Sequence, residues 1–168
     1  MKPQRIRRDP QMDLFKIELN RIINSGHPLA KLAKQMDWAA FDEKFEPHFA
    51  DEGRPAIATR LMVALHYLKY THDLSDEDTV ARWVENPYWQ HFSGRQHFEH
   101  KFPTDPSSMT RWRKRIGVEG AETLLSQTIT TAVKQGCLKR AQLAKVSVDT
   151  TVKNKKIRFP TDARLYDR

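Results

Sequence analysis

Residues 56–71 read AIATRLMVALHYLKYT. Ile57, Leu61, Ala64, Leu65 and Leu68 recur at three- and four-residue steps, which puts them on one face of a 3.6-residue turn. The spacing predicts a helix over 56–71, entered from a loop at Gly53-Arg54-Pro55. Working outward, the same period governs the chain up to about residue 136. Ser75, with Asp78 three residues later, forms a capping box. It starts a helix over 76–86 with Val80, Trp83 and Val84 on one side, and Asn86-Pro87 ends or kinks that helix. Tyr88, Trp89 and Phe92 continue an aromatic cluster, and residues 93–104 read as a loop. Asp105-Pro106 is an N-cap followed by a first-position proline. The helix it starts turns Met109, Trp112 and Ile116 inward and stops at Gly117, and a further helix runs from about Val118 to Lys134.

On the N-terminal side, Asp9-Pro10 predicts a helix with Leu14, Phe15, Ile17, Leu19, Ile22 and Ile23 as its stripe, ended by Gly26. His27-Pro28 starts a short second helix, and Trp38, Phe41 and Phe45 suggest another turn before Pro47. Beyond Gly136 the period changes from 3.6 to 2. Val146, Val148, Thr150 and Val152 face one way, while Lys145, Ser147, Asp149 and Thr151 face the other. A turn at 153–156 and a second strand from Ile157 predict the first β-hairpin of a new sheet domain, with Pro160 at its edge. Two such strands alone are marginal in water. The fold class expected is mainly α, with domains at 1–138 and 139–168.

The 168 residues suffice for one domain, or for one domain and a fragment of another. The longest apolar run, Leu61 to Leu65, is far too short to cross a bilayer, and no apolar signal core follows the basic N-terminus. The expected location is cytoplasmic, with no membrane and no small-molecule substrate as partner. Cys137 is the one cysteine, which rules out an internal disulfide and a cysteine-rich zinc site. The histidines His91, His97 and His100 lack zinc-site spacing.

Charge is unevenly placed. Residues 1–100 carry 14 Lys/Arg against 15 Asp/Glu, whereas residues 101–168 carry 15 against 6. The basic excess in the last two-fifths points to a polyanionic partner. The sharpest local form of it is TRWRKRIG, residues 110–117, where Arg111, Arg113, Lys114 and Arg115 cover the outward face of a helix anchored by Trp112 and Ile116. That is what a helix-turn-helix recognition element needs, since arginines pair with guanine edges or phosphates. The bland alternative is that these bases form salt bridges with the acidic helix carrying Asp76, Glu77, Asp78 and Glu85. Asp149 is the other oddity. Carboxylates hold divalent ions in phosphoryl transfer, but one aspartate is not a site, and a lone strand aspartate is ordinarily structural.

Several phrases resemble one family: GHPLAKLAKQMDWAAFDEKF, GRP followed by RLMVALHYLKY, LSDEDTVARWVENPYWQHFSG, DPSSMTRWRKRIG and VSVDTTVKNKKIRFPTDARLYDR. Together they resemble the N-terminal portion of bacterial DDE transposases of the insertion-sequence-five group, over about residues 13–168. The resemblance implies a helical region that binds double-stranded DNA at the element's terminal inverted repeats. It also implies an RNase H-like catalytic domain whose acidic triad holds two Mg2+ ions. Asp149 matches the first acid of that triad, and so is implied as a catalytic and metal-ligating residue; Asp162 is not assigned as the second. Full members continue through further strands to the second Asp and the Glu. The resemblance therefore implies a truncated catalytic domain, an isolated chain that is catalytically inactive, and binding of DNA ends in the nucleoid, alone or as an oligomer with itself or a full-length transposase. The alternatives are a truncated regulator or inhibitor of transposition, and a helical interaction domain without specific DNA binding.

Overall fold

The computed structural model describes residues 17–49, 55–139, 141 and 143. Among them the helices are α1 Leu19–Ile22, α2 Pro28–Gln35, α3 Trp38–Phe45, α4 Thr59–His72, α5 Asp76–Glu85, α6 Pro87–Phe92 and α7 Pro106–Lys134, with a 3-10 turn at Glu46–His48. The mainly α expectation holds for these residues, whose extended pairing is a single antiparallel bridge between Glu18 and His97. The predicted hairpin and Asp149 lie outside them. The chain divides into two compact units, Met1–Leu138 and Lys139–Arg168, and all seven helices belong to the first.

The helix starts follow their caps. The His27 ring accepts from the Leu29 N–H, Asp37 from Ala40, Ser75 from Asp78, and Asp105 from Ser107. Each side chain satisfies one of the N–H groups that a first turn leaves without a partner. Asn86 does double service: it ends α5, and its Oδ1 accepts from the Tyr88 and Trp89 N–H groups to start α6. The sequence reading took Asn86-Pro87 only as a break, although it has the same cap-then-proline form as Asp105-Pro106.

Helix α4 is the centre of the core. The stripe seen in its sequence is only part of what it buries: Leu61 through His66 and Leu68 are all buried, because α3, α5, α6 and α7 pack around it. Phe41, Phe45, Trp83, Phe92, Met109, Trp112 and Ile116 complete the core from the surrounding helices. A turn over 73–75 joins α4 to α5, with Asp73 in the left-handed region at φ 50° and the Leu74 N–H bonded to the Lys69 carbonyl. Helices α4 and α5 are joined by three residues, whereas α5 and α7 pack together across the longer connection 86–105.

Two further elements differ from the expected form. The Leu19 N–H donates to the Gln96 carbonyl at 2.8 Å and the Phe98 N–H to the Ile17 carbonyl at 2.9 Å, so Ile17 and Glu18 lie extended beside residues 96–98. Of the predicted helix through Ile23, the described part contributes only the single turn α1. Within α7, Gly117 adopts φ 61° and ψ −159°, which breaks the helix into two rods at the predicted place. Gly120 then lies so close to Ile116 that a Cβ on it would come within 2.4 Å of the Ile116 Cβ.

Candidate nucleic-acid interface

The first rod of α7 carries the basic cluster. Met109, Trp112 and Ile116 are buried, as their spacing predicts, and this fixes where the residues between them point. The four basic side chains meet four different surroundings. Arg113 forks onto Asp76, with Nη1 to Oδ1 at 2.8 Å and Nη2 to Oδ2 at 2.7 Å, and also reaches the Thr110 hydroxyl at 3.1 Å. Asp76, at the start of α5 and largely buried, accepts from Lys69 of α4 and from the Thr110 hydroxyl as well. The Arg113 guanidinium, aided by Lys69 and Thr110, holds the Asp76 carboxyl well below the usual carboxylate range despite its burial, and Asp76 in turn raises Arg113. A bidentate, charge-assisted pair of this kind is directional as well as strong. It clamps α4, α5 and α7 at one point. For Arg113, therefore, the pairing with the acidic helix is realised.

The other three bases are on the surface. Arg111 donates from Nη2 to the Ser107 hydroxyl at 2.6 Å. The Arg115 guanidinium lies 5.8 Å from the centre of the Phe49 ring. Lys114 is exposed between them. Arg111 and Arg115, one helical turn apart, line a groove of about 830 Å³ with Ser108 and Trp112. The segment before α4, Pro55 to Ile57, and Phe49 line it too.

Behind this face sits a buried histidine. His66 is 1% exposed and stacks on Trp112, with ring centres 4.9 Å apart. Burial, reinforced by the nearby Arg113 charge, pushes its pKa down to about 4, against the opposing pull of Asp76. At neutral pH it is an uncharged aromatic plate between α4 and α7. The sequence marks Asp76 as one of four acids on a helix with which the bases could pair, without singling it out. A signal existed: positions 76, 80 and 83 share one helical face, so Asp76 stands at the head of the buried Val80–Trp83 stripe, where an acid needs a partner. No comparable sequence signal marks His66.

Asp149 lies outside the described residues. Among the described residues no group of three or more His, Cys, Asp or Glu side chains is placed to hold a metal ion. No described helix is long and apolar enough to cross a membrane.

The chain is 54% identical over 154 residues to an uncharacterized protein of Rhizobium meliloti, ORF8 in the nfe locus, an alignment that spans 92% of this chain and 74% of that protein. No solved structure matches it. Residues 17–115 match the family described as Transposase domain (DUF772), a span that opens at the Glu18–His97 bridge and closes on Arg115 of the basic rod, and the chain belongs to that family.

Proposed function

We propose that this chain is the DNA-binding N-terminal part of a DDE transposase of the insertion-sequence-five group, acting in transposition by binding the terminal inverted repeats of its element. One observation carries the reading. A short helix presents Arg111, Lys114 and Arg115 on its solvent face, while its other face is held by Met109, Trp112, Ile116 and the Arg113–Asp76 fork. Rigidly held cations on a helix start suit phosphate and base-edge contacts. The unit is helix-turn-helix-like in that α4 and α5 form the short-turn pair and α7 packs against α5 as the contacting helix. Arg113 has a different role, since both its terminal nitrogens are committed to Asp76.

In this reading residues 139–168 open an RNase H-like domain, and Asp149 is the first acid of a metal-binding triad. Bound Mg2+ would supply activation of the attacking oxygen and stabilisation of the leaving one. Asp149 contributes a hard oxygen ligand of the kind Mg2+ prefers. The partner is double-stranded DNA, and the site of action is the nucleoid.

The test is footprinting and mobility shift on element termini against random duplex, with an excess of competitor. Protection confined to the termini is expected. Equal, weak binding to both sequences would sink the specific-binding reading.

A further inference from the structure

The groove beside Arg111 and Arg115 is concave, and this bears on what those arginines hold. Duplex recognition by a helix requires a convex element that enters the major groove, with side chains pointing outward from it. Lys114 is exposed and stands outside the groove. Arg111 and Arg115 instead border a recess of about 830 Å³, lined also by Phe49 and Pro55 to Ile57. The walls are a mixture of kinds. Apolar surface comes from Pro55, Ile57 and Pro103, and hydrogen-bonding groups come from His48, Thr104 and Ser108. Trp112, also in the wall, is 5% exposed and its Nε1–H has no acceptor among the described residues. Arg115 rests over the Phe49 ring, an arrangement that holds a guanidinium by its face and leaves its edge N–H groups available. Asp105 lines the end of the recess near the start of α7, with its carboxylate taken up by the Ser107 N–H and hydroxyl. Its negative charge lies close to Arg111, with which it shares the Ser107 hydroxyl, so Arg115 is the stronger phosphate contact of the two and Arg111 the weaker.

A cationic recess with apolar walls and unspent donors suits a flexible single strand, in which phosphates follow the charge and bases meet the apolar walls. We propose that this groove binds an unpaired stretch of DNA strand next to the duplex that the same helix contacts. It rests on the DNA-binding reading above and adds to it a division of labour. Lys114 serves the duplex alone, Arg111 and Arg115 serve the unpaired strand as well as the duplex, and Arg113 holds the helix in place.

The experiment uses the full chain and two labelled probes, a blunt duplex and the same duplex carrying a short unpaired thymidine tail, with affinity read by fluorescence anisotropy. The tail is expected to tighten binding by about tenfold. The Arg111→Ala/Arg115→Ala double variant should lose that gain, so that it weakens the tailed probe by a larger factor than the blunt duplex, whereas Lys114→Ala should weaken both probes by the same factor. In the wild type, iododeoxyuridine in the tail should cross-link to Phe49 or Trp112. That measurement does not depend on any variant folding. Binding of the blunt duplex with no gain from the tail, equal losses in the double variant, or a cross-link mapped away from the groove would each overturn the proposal. If neither probe binds, the DNA-binding reading itself fails.

Discussion

Asp76 joins three helices through one carboxylate. It receives Arg113 by two bonds, Lys69 by one and Thr110 by one. Asp76→Asn keeps the shape but removes the charge, leaving two half-buried cations without their counterion. A loss of about 3 kcal/mol is expected by urea denaturation, the usual scale for breaking a largely buried pair. Arg113→Lys should lose part of this, because an ammonium cannot reproduce the fork. His66 sets the pH dependence. Its folded pKa lies below its unfolded value of about 6.5, so the unfolded chain binds more protons between about pH 6.5 and pH 4. Stability that is present above pH 6.5 is therefore lost as pH falls through that window, by about 3 kcal/mol at most. His66→Phe keeps an aromatic plate on Trp112 and should flatten this slope, which urea midpoints across the window would show. Asp76 is depressed in the usual carboxylate direction, so its loss begins only below about pH 4. His91, lowered in the same direction by burial, contributes in the same window, so a slope as steep in His66→Phe as in the wild type would count against this account.

At the scale of the element, α7 depends on its glycines. Gly117 sits at φ 61° and ψ −159°, a backbone region that is essentially glycine's alone, and no atom within 4 Å would obstruct a Cβ there. Gly117→Ala is thus a test of backbone strain without steric clash. A cost of about 1–3 kcal/mol in urea denaturation is expected. Gly120→Ala tests the opposite case, since its Cβ would collide with Ile116 and force the two rods apart. A Gly120→Ala variant as stable as wild type would show that the rods are free to separate. Gly94 belongs with them: at φ 91° it packs against the Arg60 side chain, which lies over Trp38 and donates to the Phe92 carbonyl. The caps and glycine stops were legible because they are local, and Asp105-Pro106 and Gly117 stand where the sequence predicts. The extended run at Ile17–Glu18 was not legible, since its backbone partners are some eighty residues away at Gln96–Phe98.

For the whole molecule, charge and family point the same way while the fold distributes the charge. If Lys114 neutralises a duplex phosphate, Lys114→Ala should reduce the slope of log affinity against log salt by about 0.9. Arg113→Lys should leave the slope unchanged while lowering stability, because that side chain is spent on Asp76. Equal slope changes in the two variants would return Arg113 to the DNA-contacting set. By itself the sequence determined the mainly helical class, the presence of α4, which starts at Thr59 and not at residue 56, the boundaries of α5 and both rods of α7, the inward Met109–Trp112–Ile116 face and the transposase relationship. These rest on periodicity, caps and extended phrases, all of which are written locally along the chain. Only the tertiary structure decided which of four adjacent bases is spent internally, that Asp76 is the clamp, and that His66 is an uncharged core plate. A helical face says which way a side chain points, but its partner comes from another helix, and the choice between solvent and counterion is made only when the two pack.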